Sequence, residues 1–344
     1  MIRKQPAASA DTFNPQATSF QAVAFAANDA ARWDEFVQTA FAGTFLHTRR
    51  FLNYHGNRFQ DASLLLEDGK HGLMGIIPAA ADPDCPRRVV SHPGITYGGL
   101  LHAGALRGSR MLQAFVAAKR HWREQGFETL HYKAVPYIYH CVPAEDDLYA
   151  LARLNGKCFR CDLSCSIDLR RHLSPSERRV RGLKQARKKG IEITEDTRFV
   201  PQFWQVVEEK LGEKYGVKPV HTMSEIQYLY SLFPEHLLFA MALHEQQIVG
   251  GVLLFVSPRV VHSQYIAANA TGLQLHALDA VFDYCIQRAE ALGACYFDFG
   301  TSNAAEGHAL NPGLYQFKAE FGGGGVAHQF YELDLTAEDT IDRS

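Results

Sequence analysis

The sequence predicts an α/β protein built from two successive copies of one unit, each a mixed sheet flanked by helices. Three observations carry this. A strand, polar turn, strand pattern occurs twice. In each copy a further strand, a helix and another strand follow in the same order. Both long helices run into a glycine.

In the first copy, Leu64 to Leu66 runs into the turn Glu67 to Lys70, and Gly72 to Ala80 reads as the returning strand. Gly94 to Leu100 then reads as a strand, Ser109 to Gln125 as a helix with Gly126 as its left-handed cap, and Phe127 to Val135 as a strand. In the second copy, Leu237 to Leu243, the turn His244 to Gln247 and Ile248 to Leu254 repeat the hairpin. Val260 to Ala267, a helix from about Leu273 to Leu292, Gly293, and the strand Ala294 to Phe299 complete it. That helix places Leu278, Val281, Phe282, Cys285, Ile286, Ala289 and Leu292 on one face. The join falls between Leu154 and Asp168. Residues 1–19, rich in Ala, Ser and Pro, are expected as a flexible tail, 20–160 as the first domain and 161–344 as the second.

Length and composition fit this plan. A chain of 344 residues, 47% hydrophobic and 21% charged, has the means to bury two cores. The formal net charge of -2 gives no global attraction to nucleic acid or membrane, so such a partner must meet a local patch. No apolar run reaches the ~18 residues of a membrane span. Leu237 to Val256 comes nearest and is broken by His244-Glu245-Gln246-Gln247. Arg3 and Lys4 have no apolar run behind them, which does not read as a secretory signal. Seven unevenly spread cysteines suit a reducing compartment, and the cytoplasm is the expectation.

The segment from Arg170 to Gly190 carries nine Arg or Lys against one acid, Glu177. Ser174-Pro175-Ser176-Glu177 reads as a capping box with proline at the first helical position, and Gly190 closes the helix. Arg181, Lys184 and Lys188 form a basic stripe, with Val180 and Leu183 as an apolar docking edge. The stripe suits a phosphate-rich ligand such as tRNA, a nucleotide sugar or a lipid-linked precursor, or else a solvated face. Cys158, Cys161 and Cys165 lack the paired spacing of a zinc site and read as half-buried strand cysteines; no metal is expected. Asp298-Phe299-Gly300 matches the kinase magnesium triplet by letters alone, and no Walker or Rossmann glycine pattern occurs. The run Gly322 to Gly325 reads as a flexible connection. Beyond the strand at 294–299, Asp298, Ser302, Asn303 and Glu306 are expected to line a cleft, because ligands gather at the carboxyl ends of strands in α/β sheets.

The doubled plan, the basic helix opening the second copy, and above all Gly313-Leu314-Tyr315-Gln316-Phe317-Lys318-Ala319-Glu320-Phe321-Gly322-Gly323 resemble the FemAB-like branch of the GNAT superfamily, the FemABX peptidyltransferases included. The resemblance covers roughly residues 20–335, and Tyr97-Gly98-Gly99 also fits it. It implies two tandem GNAT-like domains and transfer of an acyl or aminoacyl group from an activated donor to an amine. The donor would be aminoacyl-tRNA and the acceptor a peptidoglycan or polysaccharide precursor, with peripheral membrane contact open. It also implies that Phe317 and Lys318 serve the donor and its reacting carbonyl, Lys318 as the oxyanion stabiliser. Tyr265 and Tyr315 are then expected to carry the proton to the leaving oxygen, and Asp298 to accept a proton or orient the amine. Tyr97, Tyr315, Phe317, Asn303 and Glu306 are expected as substrate contacts. His262 is a second candidate for that proton, but strand alternation would set it and Tyr265 on opposite faces, which favours a structural place for it. The sequence departs from acetyltransferases between Ala268 and His276. One glycine, Gly272, and no arginine stand where a pyrophosphate loop is wanted, so no bound cofactor is expected, and acyl-CoA is the alternative donor. A non-catalytic module binding RNA or an anionic glycan is the rival. The long coiled-coil arm of some FemABX proteins is missing.

Overall fold

A computed structural model describes residues 20–171, 173–215 and 219–338. The expected tail at 1–19 lies outside the described residues. The first half contains β1 (Phe20–Ala24), α1 (Ala30–Thr39), α2 (Arg49–Leu52), β2 (Leu64–Asp68), β3 (Gly72–Ile77), β4 (Ala80–Asp82) and β5 (Cys85–Val90). Then come β6 (Leu101–His102), α3 (Ser109–Glu124), β7 (Thr129–Lys133) and α4 (Asp146–Arg153). The second half opens with β8 (Lys157–Asp168), α5 (Glu177–Lys188), β9 (Glu192–Thr194), α6 (Val200–Tyr215) and α7 (Met223–Leu232). It continues through β10 (Leu237–His244), β11 (Gln247–Val256), β12 (Val260–Ala268), α8 (Ala270–Gln274), α9 (Ala277–Ala291) and β13 (Tyr296–Thr301). The last elements are β14 (Asn303–Ala304), β15 (Ala309–Leu310), α10 (Pro312–Ala319) and β16 (Gly324–Asp334).

The doubled plan is present. Hairpins β2–β3 and β10–β11 turn where the polar residues fall. In each half a strand before the long helix pairs in parallel with the strand after it: β5 with β7, and β12 with β13. Gly126 and Gly293 close α3 and α9 with left-handed backbone.

Four local expectations are corrected. Gly94 to Leu100 is not a strand. It folds back onto β5, so closely that a Cβ at Gly98 would lie 1.9 Å from the Ser91 carbonyl oxygen, and β5 takes the parallel role instead. The cap of α5 is Ser176, whose side chain accepts from the Arg179 amide, so Pro175 precedes the helix rather than opening it. The helix drawn from Leu273 to Leu292 is two helices, parted at His276 in left-handed conformation. Finally, Gly324 and Gly325 are not a loose connection but the first residues of β16, paired with Ser166 and Cys165.

One ten-stranded sheet, in the order β4-β5-β7-β16-β8-β13-β12-β11-β10-β9, runs through both halves. A smaller sheet, β1-β2-β3-β6, belongs to the first half. The halves also share a core. Phe45 lies edge-on to Phe255 at 5.3 Å and stacks on His236 at 4.6 Å, with Phe51, Ile138, Phe233 and Leu253 around them. Each such side chain removed from water stabilises the fold by about 1.5–3 kcal/mol, so the halves are held as a packed interior holds its elements. Among the described residues no helix is long and apolar enough to cross a membrane.

Candidate functional site

The site begins with an irregularity in β12. Against β11, Tyr265 pairs with Leu253 and Ser263 with Leu254, which leaves Gln264 as an extra residue in a bulge. The bulge resets the alternation, and His262 and Tyr265 line the same cleft instead of facing apart. β12 runs beside β13 only from Val260 and Tyr296 to His262 and Asp298. Beyond that pair the strands part, and a cleft of about 700 Å³ opens between them at their carboxyl ends.

At the point of parting, His262 Nδ1 lies 2.7 Å from Asp298 Oδ2. The other carboxyl oxygen, Oδ1, accepts from Ser164 Oγ and Ser166 Oγ, both at 2.5 Å. Asp298 is wholly buried. Burial alone would raise its pKa, but His262, through hydrogen bond and charge, with His328 and Ser164, outweighs burial and holds it far below the ordinary carboxylate range. An ionised carboxylate only accepts, so Nδ1 of His262 carries a proton, and in the neutral tautomer the Nε2 lone pair is left for the cleft. A histidine so held can serve as a general base oriented by the carboxylate. Strand alternation assigns His262 a structural place, and the structure puts it in the cleft. Asp298, expected to accept a proton or orient the amine, is hydrogen-bonded to the imidazole.

Lys318 stands on α10 behind the other wall. The helix starts with an Asn311 cap and Pro312 at its first turn. Leu314, Phe317 and Lys318 then face the cleft at helical spacing. Lys318 is buried, and its Nζ donates to the carbonyls of Gly300 at 2.9 Å and Thr301 at 2.7 Å. Burial pulls its pKa down to about 8, with Asp298 and Cys165 opposing. Two of its three N–H groups are thereby used to hold the end of β13, leaving one for a ligand.

The remaining expected residues divide. Phe317 lines the cleft, packed against Phe282 and Phe321. Tyr265 lines it too, with its hydroxyl 2.7 Å from His221 Nδ1 and accepting from the His221 amide at 3.3 Å. Burial pushes the Tyr265 hydroxyl pKa up to about 12. Tyr315 turns away from the cleft, its hydroxyl lying over Gly325. Tyr97 is buried in the first half beside Tyr139, ring centres 4.4 Å apart, behind His262 rather than in the cleft. Asn303 spends both ends of its amide locally, accepting from the Leu163 amide at 2.6 Å and donating to the Gly307 carbonyl at 3.2 Å. Ser302 is buried outside the cleft lining. The Glu306 side chain lies outside the described residues.

The basic helix α5 is anchored by a residue the stripe did not single out. Arg179 is buried between Asp279, at 2.8 Å, and Glu320, at 3.0 Å, and lies over the Phe317 ring at 4.8 Å. Gly182 lets α5 press against Asp279, where a Cβ would come within 2.5 Å of the carboxylate. Arg181, Lys184 and Lys188 therefore face outward; of the expected apolar edge, Leu183 packs against the core of the second half, whereas Val180 is 51% exposed. Of the cysteines, Cys158 and Cys161 are exposed, whereas Cys165 is buried and its thiol pushed up to about 12. Among the described residues no group of three or more His, Cys, Asp or Glu could hold a metal ion.

Residues 169–318 match the family model described as the acetyltransferase (GNAT) domain. No curated protein sequence matches the chain. Among solved structures, FemX superposes with a TM-score of 0.65 at 11% identity, over 90% of this chain and 96% of that one. The tandem GNAT protein from the clavulanic acid biosynthesis pathway gives 0.52 at 13% identity, over 93% and 99%. L-PGS from Bacillus licheniformis gives 0.52 at 13% identity, over 77% and 82%. These are likenesses of fold. The chain has the fold of two GNAT-like units in tandem, and most of the cleft lining falls within the residues that the family model matches.

Proposed function

We propose that the protein transfers an acyl or aminoacyl group from an activated donor onto an amine, forming an amide. The observation that carries this is the His262–Asp298 pair at the floor of the cleft, facing the wall that holds Lys318. The reaction needs an unprotonated amine, an oriented donor carbonyl and a positive charge near the developing oxyanion. His262 Nε2 takes the proton of the incoming amine. The remaining N–H of Lys318 faces the oxygen of the tetrahedral intermediate. Protonated His262, steadied by Asp298, returns the proton to the leaving group.

The donor we favour is an aminoacyl ester, aminoacyl-tRNA among them, over acyl-CoA. In the β12–α8 connection the Asn269 side chain already accepts the Gly272 amide at 2.9 Å. Leu273 and Leu278 line the cleft just beyond. Few backbone N–H groups are left to cradle a pyrophosphate. Acetyl-CoA is therefore expected to bind with Kd weaker than about 1 mM by titration calorimetry. A micromolar value would move the reading to an acyl-CoA N-acyltransferase. The acceptor class is an amine on a cell-envelope or polysaccharide precursor, and the likeness to FemX supports that choice. Mass spectrometry of products from aminoacyl-tRNA and acyl-CoA donors with amine acceptors tests the whole proposal. No amide from any pair would leave a non-catalytic binding module.

The outward stripe of α5 is the candidate surface for a polyanionic donor. Arg181 has Glu177 beside it on the helix at 3.7 Å, too far and too exposed to neutralise it. Changing Arg181, Lys184 and Lys188 together to glutamine is expected to weaken tRNA binding and flatten its salt dependence, by roughly one unit of slope for each phosphate no longer neutralised. An unchanged slope would make the stripe a solvated face.

A further inference from the structure

His328 takes no part in the chemistry set out above, yet it stands beside it. It lies on β16, paired with Asp162 on β8, and it lines the cleft. It is 4% exposed, and its Nε2 is buried with no hydrogen-bond partner among the described residues. The carboxylates around it are engaged. Asp162 receives Arg160 at 3.0 and 2.7 Å, and Asp298 receives His262, Ser164 and Ser166. Both His328 and His262 act electrostatically on Asp298, and both line the cleft. A buried nitrogen without a partner weakens the folded state, and a leucine of similar volume would not carry that cost. Such an atom persists where a ligand completes it.

We infer that His328 Nε2 is the docking point of the acceptor amine, opposite the base His262. The inference rests on the acyl-transfer reading. The acceptor arrives as an ammonium ion, which the Asp298 carboxylate favours over an anionic group, and sheds one proton to solvent as it docks, leaving a neutral amine with two N–H groups. The nitrogen lone pair forms the new bond to the donor carbonyl carbon while one of those two protons passes to His262 Nε2. A second N–H of the amine donates to His328 Nε2 throughout. The bond from that carbon to the leaving group breaks, and the leaving group takes the proton held by His262. His328 exchanges no proton; it is a positioning residue that fixes the angle of attack.

Histidine-labelled full-length protein titrated with glycinamide tests this by NMR. The His328 Nε2 resonance, assigned by its loss in His328→Leu, is expected to shift with glycinamide. His328→Leu is expected to melt roughly 2–4 °C higher than wild type, because an unpartnered polar atom is gone, and to bind glycinamide at least about tenfold more weakly. His328→Gln, whose amide reaches the position of Nε2, is expected to keep affinity within about threefold, while His328→Asn does not. No shift with glycinamide, or a His328→Leu protein that melts lower and binds the amine as wild type does, overturns the inference. Transfer that proceeds equally well in His328→Leu overturns it and leaves acyl transfer standing. Glycinamide bound at His328 with no transfer from any donor does the reverse.

Discussion

His262→Gln is expected to lower turnover in amide formation by about 10²–10⁴-fold, with donor affinity little changed. The substitution keeps a polar side chain of similar reach in a position only 14% exposed, so the fold survives. What is lost is the Nε2 lone pair that accepts the amine proton. Asp298→Asn is expected to cost a comparable factor by a different route. An amide carries no charge to steady the imidazolium, and its N–H₂ can pin the wrong tautomer of His262. Ser164 and Ser166 still find an acceptor in the asparagine oxygen, which keeps the site packed. The double variant is expected to be no slower than the slower single one, since the two residues act as one unit. Single-turnover transfer measured across the four proteins decides the matter. Multiplying losses, or a His262→Gln enzyme near wild-type rate, would remove the pair from the chemistry.

Lys318→Met is expected to cost about 10²–10³ in turnover through the lost charge beside the oxyanion. The geometry adds a second effect that the sequence did not suggest. Methionine fills the space but leaves the Gly300 and Thr301 carbonyls without their donor, at a cost of about 1–3 kcal/mol in stability. The two effects separate by pH. Burial lowers the folded pKa from the ordinary 10.5 to about 8, so between these values the unfolded chain binds more protons than the folded one. Wild-type stability relative to Lys318→Met therefore rises as pH increases from 8 to 10.5. Turnover moves the other way, with wild type losing rate above pH 8 as the ammonium deprotonates and the variant showing no such limb. Urea unfolding and single-turnover rates, followed from about neutral pH to the ordinary lysine pKa, read both. A flat stability difference would place the ammonium in water; a variant with the wild-type alkaline limb would free Lys318 of the oxyanion role.

The elements legible in the sequence were those set by local physics. The polar turns at 67–70 and 244–247, the glycines after α3 and α9, and the apolar stripe of α9 each act within one or two turns of chain. Lys318 and Phe317 came from a motif, and the cleft does contain them. What escaped depended on pairing with distant strands. The bulge at Gln264 exists only because β12 slips against β11, and that slip alone brings His262 to the cleft. Asp298 read as an acid near the end of a strand and is the buried centre of contacts from β8 and β12. Arg179 read as one charge in a basic run, although Asp279 and Glu320, far along the chain, fix its place. At Gly323 a Cβ would lie 2.8 Å from the Cys165 sulfur, a constraint no local pattern records.

The position of β16 has a consequence for synthesis. This strand fills the gap between β7 and β8, pairing Phe330 with Lys133 on one side and Arg160 on the other. A nascent chain whose first half has left the ribosome still lacks it, and β7, then β8 as it emerges, present bare rows of N–H and C=O groups. Such rows are templates for a second chain, and the long wait for residues 324–334 lengthens their exposure. Vectorial folding cannot finish the first half before the second is made. Expressed as separate fragments, the halves would need each other's edges to become soluble, and complementation in one cell rather than independent purification is the way to obtain them.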